Sequence, residues 1–355
     1  NFFAFMKLNL KKNNFYDLIN IKYKVYYPIN KFTSKDDFNS IITNFHLKNK
    51  KFFPFPIFLS ISKNNSNKIK KKKIIEAFYN KKKVCDLRIH SIFKLDKKKI
   101  GQKIFGVKNI NHPGFKKFLQ EGNYFLDCDI VNFNKKIMKL INFTYPSNFK
   151  KKLKKFKIKN IGGFHTRNVP HRAHEWIHMY GLKKCGALLI QPMIGQYKKN
   201  EYKNDIIVKT NKILIKKVYN NKKIFFAKYF SYPKYGGPRE ALLHALVRKN
   251  YGCTHFMVGR DHAGISDYYK KYESQIKCKK FEKKLNLNII SFKEPVLCTN
   301  CKKIVNEKCL NCKTNKIKKI SGTQIRFLIK NGKKIPSFYM RSEISKLINK
   351  SFLIK

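Results

Sequence analysis

Residues 164–175 concentrate side chains that bind anions, and they read FHTRNVPHRAHE. An apolar stretch precedes them, and apolar residues recur at i, i+3, i+4 and i+7 from Ala173, which is the spacing of one buried helix face. Thr166 or Asn168 can cap that helix, and Pro170 suits its first turn. A strand, a tight turn and a helix N-terminus predict an anion site, because backbone N–H groups and the helix dipole point at one spot. We therefore predict a site for nucleotide phosphates.

A metal site is the alternative interpretation of the histidines in this segment. His171, His174 and His178 fall on one helix face and could hold zinc. No carboxylate or cysteine at a usual ligand spacing completes such a set, so we favour anion binding.

A second loop carries polar residues at the end of a predicted strand. Residues 235–241 read YGGPREA, and Pro238 is predicted to start a helix that ends near Asn250. Residues 254–258 are typical of a buried strand, and the loop 259–264, GRDHAG, follows at its carboxyl end, where open α/β sheets bind ligands. Turn formation alone would explain the two glycines of this loop but not the charged and polar residues between them.

Both segments resemble signatures of the ATP sulfurylases, also called sulfate adenylyltransferases. The family's first signature runs Gln-Thr-Arg-Asn-Pro-x-His-Arg-x-His, so this chain has His165 in place of Gln and Val-Pro in place of Pro-x. In the second segment Gly236 stands where the family has Ala. Further landmarks follow in the family's order between about residues 26 and 350, at residues 27–32, 53–57, 105–115, 321–326 and 340–343.

The resemblance implies a nucleotidyltransferase of sulfate assimilation and sulfur metabolism. Its substrates would be ATP and sulfate and its products adenosine 5′-phosphosulfate and pyrophosphate, in a reversible reaction by in-line attack of sulfate on the α-phosphorus. Sulfate is fully ionised at neutral pH and needs no general base, so we expect catalysis by positioning and electrostatic stabilisation. The resemblance also implies Mg²⁺ bound with ATP and a homo-oligomer.

The resemblance assigns a catalytic set within the first segment. Its members are Thr166, Arg167, Asn168, His171 and His174. Arg167 would be the main sulfate ligand, because a guanidinium presents a fork that matches two oxyanion oxygens. His171 and His174 would contact the ATP phosphates and the leaving pyrophosphate, and Asn168 would lie at the transferring phosphoryl group, with Thr166 beside it.

The resemblance also assigns a set of substrate-binding residues. Its members are His165, Arg167, Gly259, Arg260, Asp261 and Ala263. His165 and the backbone N–H of Ala263 would complete the sulfate site, and Arg260 would belong to it as well. Gly259 and Asp261 would shape the adenosine pocket. An adenylyltransferase for another oxyanion is an alternative that would equally explain His165.

Four of the nine cysteines form two Cys-x-x-Cys pairs. They are Cys298, Cys301, Cys309 and Cys312. Two such turns present the tetrahedral sulfur set that a structural Zn²⁺ prefers, whereas redox or unligated pairs are the alternative. Some members of the resembled family carry a zinc site in this region, usually with three Cys and one His, and Cys312 would replace that His here.

A net charge of +60 makes a lysine-driven nucleic-acid binder the competing class of protein. Lysine is scattered through the chain with abundant Asn, Ile, Phe and Tyr, the residues of A/T-rich codons. No nucleic-acid-binding module is recognised, so we interpret most lysines as solvated surface and expect no specific nucleic-acid partner. The lysine-rich run at residues 63–73 is predicted to be a loop.

Cell location is predicted from targeting signals and cysteine usage. No segment approaches the length of a transmembrane helix, and the first six residues carry no secretory h-region. Cys-x-x-Cys pairs suggest a reducing compartment, so we expect a cytoplasmic protein without a membrane partner. No Gly-x-x-x-x-Gly-Lys-Ser/Thr sequence is present, which argues against an attached adenylylsulfate kinase domain.

The predicted fold is of the α/β class with three consecutive domains. Residues 1–150 would form the β-rich domain that resembles the family's PUA-like fold. Residues 151–285 would form a Rossmann-like nucleotidyltransferase core with a parallel sheet, because strands and helices alternate there. Residues 286–355 would form a small domain with the zinc site.

Overall fold

The computed structural model describes residues 6–195, 199–220, 222–312 and 316–354. Contacts between Cα atoms divide the chain into two compact units, each built from three segments. Unit 1 comprises residues 1–152, 234–252 and 261–286, and unit 2 comprises residues 153–233, 253–260 and 287–355. The three consecutive domains stay a prediction, because these units group the chain by contact rather than by order.

A five-stranded sheet organises unit 1. Its strands are β1 (Lys7–Asn9), β2 (Leu59–Ile61), β3 (Ile74–Tyr79), β4 (Lys82–Lys94) and β5 (Tyr124–Val131). They lie in the order β1-β3-β4-β5-β2, with β1 parallel to β3 and the other pairs antiparallel. Alternate residues of β3, Ile75 and Ala77, are fully buried, as expected for a sheet with one face on the core.

The helices of unit 1 come from both ends of its sequence range. They are α1 (Lys12–Lys22), α2 (Lys35–Asn44), α3 (Lys63–Ile69), α4 (Lys97–Phe105), α5 (Pro113–Gln120), α6 (Pro146–Lys155, which runs past the unit boundary), α9 (Gly237–Asn250), α10 (Glu273–Lys280) and α11 (Glu282–Leu285). The prediction of a loop over residues 63–73 is wrong for residues 63–69, which form α3. Ser62 Oγ accepts the Asn65 N–H at 3.2 Å, and Ile69 is fully buried, so a cap and one apolar contact hold a short helix at the start of this lysine-rich run.

Helix α9 is tied to the N-terminal segment by side-chain donors. The Arg239 guanidinium donates to three main-chain carbonyl oxygens: Ile41, Pro54 and Ile42, at 2.9, 2.9 and 3.0 Å. The Asn250 amide donates to the carbonyl oxygens of Val25 and Tyr27 at 2.9 and 2.8 Å. Because Arg239 is 8% exposed, its charge is stabilised mainly by these oxygens. The predicted helix after Pro238, ending near Asn250, is confirmed.

A six-stranded parallel sheet organises unit 2. Its strands are β6 (Gly162–Thr166), β7 (Leu188–Ile194), β8 (Ile224–Phe226), β9 (Tyr229–Phe230), β10 (His255–Val258) and β11 (Asn288–Ser291). The order is β11-β10-β6-β7-β8, and β9 continues beside β7. Every residue of β7 is buried, which is typical of a parallel strand covered on both faces.

The remaining elements of unit 2 are helices and a small antiparallel sheet. The helices are α7 (Arg172–Cys185), α8 (Asn204–Ile213, continued by a π-turn over Leu214–Val218), α12 (Gly322–Lys330) and α13 (Ser342–Ser345). The small sheet consists of β12 (Pro295–Cys298), β13 (Ile304–Asn306) and β14 (Ile317–Lys319), with β12 in the centre. One buried cluster contains Phe164 and Ile177 together with Ile325 and Met340, so the C-terminal elements share the core of the parallel sheet.

Candidate active site

Strands β6 and β10 place Arg167, Gly259 and Arg260 at the carboxyl-end edge of the parallel sheet. They are neighbours, yet β7 and β8 extend the sheet on one side and β11 on the other, so the strand order reverses between them. Open α/β sheets bind ligands at such a switch point, outside the carboxyl ends of the strands. Thr166 is the last residue of β6 and Val258 the last of β10, and Arg167 and Gly259 follow them directly.

The turn after β6 is held by its own polar side chains. Thr166 Oγ1 accepts the backbone N–H of Asn168 at 3.0 Å. Helix α7 then begins at Arg172, and the Nδ1 atom of His171 accepts the His174 N–H at 3.4 Å. The prediction that Thr166 or Asn168 caps this helix is therefore wrong. Thr166 and Asn168 instead form the turn after β6, and the helix cap is the imidazole of His171.

The two predicted catalytic histidines lie against each other. The rings of His171 and His174 are stacked, with centroids 3.7 Å apart and planes 17° apart. Burial holds the pKa of His171 well below its usual range, and the neighbouring His174 and His178 add to the shift. Burial also lowers the pKa of His174 to about 4, against a smaller opposing effect from a hydrogen bond to the Val169 backbone. Both rings are therefore neutral at pH 7.

The cap fixes the tautomer of His171. Since Nδ1 accepts the backbone N–H of His174, the single proton of the neutral ring resides on Nε2. Nε2 is then a hydrogen-bond donor without a positive charge. His178, one turn further along α7, is fully buried, and its Nδ1 lies 2.9 Å from the Tyr219 hydroxyl. The Nδ1 atoms of His171 and His178 thus bond different groups, the His174 N–H and the Tyr219 hydroxyl.

Both predicted anion-binding arginines of unit 2 lie near a carboxylate. Arg167 Nη1 is 4.0 Å from Glu201 Oε1, and Arg260 Nη1 is 2.5 Å from Glu294 Oε2. All four side chains are between 23% and 30% exposed, so solvent screens both pairs. Neither glutamate is found by motif reasoning, because each lies outside the two signature segments.

The other predicted substrate-binding residues lie in different surroundings. The ring of His165 is 6.2 Å from that of Tyr229, in an edge-on arrangement. Among the described residues, no atom beyond the chain neighbours lies within 4 Å of the point where a Cβ of Gly259 would stand, so the backbone is open there after β10. Asp261 and Ala263 belong to unit 1, where the Asp261 carbonyl accepts the Gly264 N–H at 3.1 Å and the Ala263 carbonyl accepts the Gly237 N–H at 3.2 Å.

The C-terminal landmarks supply two arginines that hold the first motif. Arg326 Nη1 donates to Asn168 Oδ1 at 3.0 Å. Arg341 Nε donates to Glu175 Oε2 at 2.6 Å, and Arg172 Nη1 donates to the same oxygen at 2.9 Å. Glu175 therefore joins the first turn of α7 to the segment before α13. The sequence landmarks at 321–326 and 340–343 contain both arginines but do not indicate these partners.

The four cysteines of the two Cys-x-x-Cys pairs converge in unit 2. Their sulfur atoms all lie within 4.8 Å of one another, and the Cys301 and Cys309 sulfurs are 3.6 Å apart. Cys298 ends β12 and is fully buried, while the other three are partly exposed. Four thiol donors and no other ligand type at this spacing suit a closed tetrahedral zinc site.

In the described part of the chain, no helix is long and apolar enough to cross a bilayer.

Comparison with known proteins agrees with this architecture. Residues 142–351 match the family model described as ATP-sulfurylase, and residues 3–135 match that of a PUA-like domain. The sulfate adenylyltransferase of Ignicoccus hospitalis is 31% identical over 334 residues, covering 94% of this chain and 87% of that protein. Those of Pyrococcus abyssi and Staphylothermus marinus are 31% and 33% identical, covering 96% and 94% of this chain and 89% and 87% of theirs.

A solved structure also resembles this chain. It is described as a hexameric APS kinase from Thiobacillus denitrificans, and it aligns with a TM-score of 0.75 at 15% sequence identity over 97% of this chain. This chain spans 62% of that one, and at such identity the likeness shows the fold alone. The predicted fold class, a Rossmann-like α/β core with a PUA-like N-terminal domain, is confirmed.

Proposed function

The chain belongs to the ATP-sulfurylase family, and from that premise we propose that it transfers the adenylyl group of ATP to sulfate, forming adenosine 5′-phosphosulfate and pyrophosphate. It is accordingly a nucleotidyltransferase enzyme. The main support is one observation: the family match covers both signature segments, and Arg167 and Gly259 directly follow adjacent strands at the switch point of the parallel sheet. We propose a role in sulfate assimilation on the same basis.

The proposed mechanism relies on charge and position rather than on proton transfer. Sulfate attacks the α-phosphorus in line, and pyrophosphate leaves from the opposite side. Neutral His171 and His174 suit the phosphate subsite, because an imidazole N–H binds an anionic oxygen without having to lose or gain a proton during turnover. Asn168 would donate from its amide to the transferring phosphoryl group, with Thr166 supporting the turn beside it.

We propose that sulfate binds beside Arg167 and His165 and that Glu201 limits its affinity. The Glu201 carboxylate, 4.0 Å from Arg167, is an anion at the side chain that would receive the sulfate. A guanidinium can bind two oxyanion oxygens at once, so sulfate competes well for it. Arg260, Gly259, Asp261 and the Ala263 N–H would complete the substrate contacts. Glu294, beside Arg260, would lower the affinity of that arginine for an anion, as Glu201 would for Arg167.

Mg²⁺ is proposed as the counter-ion of ATP, and it would neutralise charge on the β- and γ-phosphates. The two glutamates near the proposed anion site, Glu201 and Glu294, each lie beside an arginine, and we assign neither of them to metal binding.

We further propose a homo-oligomer, as the family resemblance implies. A reducing compartment such as the cytoplasm is proposed because of the thiol pairs.

We propose that Cys298, Cys301, Cys309 and Cys312 hold one structural Zn²⁺. The purified chain should then contain one zinc ion by elemental analysis. Cys312→His should keep the metal, because a Cys₃His set is also a common structural zinc site, whereas Cys312→Ser should lose it. Equal zinc content in the two variants would contradict the assignment of Cys312.

The activity is tested by ATP formation in the reverse direction, followed by luciferase light. The substrates are adenosine 5′-phosphosulfate and pyrophosphate, with AMP and pyrophosphate as the blank. We expect rapid ATP formation that Arg167→Ala abolishes without unfolding the chain. Arg88→Ala, which removes an exposed arginine of β4 in unit 1, is the matched control and should retain activity. An inactive wild type, folded and loaded with zinc, would refute the proposal.

A different oxyanion as acceptor is the second candidate, and it rests on His165 in place of the family's Gln. An imidazole offers a single donor where the amide side chain offers two, so anion preference at this position can change. Competition by molybdate, selenate and phosphonates against sulfate separates the two candidates. Stronger protection or turnover with another anion than with sulfate would favour the second.

A further inference from the structure

Helix α12 places the guanidinium of Arg326 beside the turn that follows β6. Arg326 Nη1 donates to Asn168 Oδ1 at 3.0 Å, and its Nη2 donates to Thr323 Oγ1 at 3.2 Å. Both arginine contacts lie within unit 2. The motif that contains Arg326, residues 321–326, has no role in the reaction proposed above. Its guanidinium nevertheless reaches a side chain that the proposed reaction uses.

The local sequence explains how this helix end approaches the turn. Ser321 Oγ accepts the Gln324 N–H at 3.4 Å and caps α12. Ile325 and Ile329 are buried in the unit 2 core and fix the rotation of the helix. At Gly322 an added Cβ would stand 3.5 Å from Arg326 Nη1 and 3.9 Å from Asn168 Cγ, so this position lies directly against the contact.

The hydrogen bond determines which end of the Asn168 amide can meet an anion. An amide side chain has one acceptor oxygen and one donor nitrogen, and Arg326 is only a donor. Because Oδ1 receives the guanidinium, Nδ2 remains the donor end of the amide, and it lies 3.9 Å from the point where a Cβ of Gly322 would stand. A flipped amide would place the nitrogen against the guanidinium, donor against donor, and would turn the oxygen towards the phosphoryl group. Arg326 thus favours the orientation that can bind a negatively charged oxygen.

We propose that Arg326 is a positioning residue for adenylyl transfer and that it acts through Asn168. This inference rests on the proposed function, since it assigns Asn168 to the transferring phosphoryl group. Arg326 is not proposed as a ligand of sulfate or of pyrophosphate. Its removal should therefore lower kcat more than it changes either KM, because the Asn168 contact matters most when charge develops at phosphorus.

A double-mutant cycle tests the inference in the ATP-forming assay. The variants are Arg326→Met, Asn168→Ala and the double variant, each checked for folding by circular dichroism. Arg326→Met should lower kcat about 10- to 100-fold, the loss expected for one charge-assisted hydrogen bond. In the Asn168→Ala background the same change should cost less than about 2-fold, because the partner through which it acts is gone. Lys330→Met removes an exposed cation from the same helix and should leave activity unchanged.

Arg326→Lys provides a second line of evidence. An ammonium group can still donate to Asn168 but lacks the planar fork, so we expect kcat between those of wild type and Arg326→Met. Equal fold-losses for Arg326→Met in the presence and absence of Asn168 would overturn the inference while leaving the proposed function intact. A rise in KM with unchanged kcat would also overturn it, since that result indicates a substrate ligand. A wild type that forms no ATP removes the proposed function and the inference with it.

Discussion

Acid should destabilise unit 2 through its buried histidines, and His178 offers the cleanest test. His178 is fully buried, and burial holds its pKa well below the usual value of 6.5, with His174 adding to the shift. The unfolded imidazole binds close to one proton at pH 5, whereas the folded one binds almost none. Since the folded pKa is depressed, the stability is present above pH 6.5 and is lost as the pH falls below that value.

The size of the effect follows from the number of protons taken up on unfolding. One proton corresponds to a slope of about 1.4 kcal/mol per pH unit, so His178 alone should remove about 2 kcal/mol between pH 6.5 and 5. His171 and His174 have lowered pKa values for the same reason and act in the same direction. Ordinary carboxylates stay largely ionised over this interval, so histidines should dominate it.

The assay follows urea unfolding by the fluorescence of Trp176, the one tryptophan of the chain, at several pH values between 5 and 7.5. Trp176 lies in α7 and stacks on Tyr180, so its signal reports on the helix that carries His174 and His178 and is capped by His171. His178→Phe should reduce the pH slope by about 1.4 kcal/mol per unit. Tyr219→Phe removes the same hydrogen bond without removing the imidazole and should keep the slope. Equal slopes in wild type and His178→Phe would refute the reasoning.

Three further substitutions test the packing and charge contacts. Arg239→Met should lower the unfolding free energy of unit 1 by about 3 to 5 kcal/mol, because three carbonyl oxygens lose their donor; urea unfolding that matches wild type would contradict this. Glu175→Gln should lower the unfolding free energy, measured by Trp176 fluorescence, by about 2 kcal/mol, because its two arginine partners lose a shared carboxylate. An unchanged unfolding free energy would mean that water replaces the contact. Gly195→Ala should cost about 3 kcal/mol by thermal unfolding, because an added Cβ would overlap the carbonyl oxygen of Ser231, and a variant as stable as wild type would show that this backbone can move.

Local signals in the sequence predicted the central fold well. Pro238 and Asn250 bound α9 to within one residue, and the strand predicted at residues 254–258 is β10. Such features depend on propensities and periodicity within a short window, so they are readable without knowing the rest of the fold. The parallel sheet follows from the same alternation of strands and helices.

Contacts between distant parts of the sequence could not be predicted in the same way. Glu201, Glu294 and Arg326 lie near motif residues only because the fold brings them there. The wrong cap has a related cause: Asn168 has good capping propensity, but its side-chain oxygen binds Arg326, and His171 caps instead. Helix α3 could not be predicted either, because the charge composition of the run 63–73 says little about a short helix held by Ser62 and one buried isoleucine.

The segmental make-up of unit 1 has a consequence for how the chain folds during synthesis. Arg239 and Asn250 complete hydrogen bonds with carbonyls near residues 25–54, yet ribosomes reach α9 long after those carbonyls have emerged. The last segment of unit 1 ends at residue 286. At about 5 to 20 residues per second, these carbonyl oxygens must wait on the order of 10 s for their donors on α9. During that interval water bonds these main-chain oxygens, and this part of unit 1 gains its final contacts only after α9 has been synthesised.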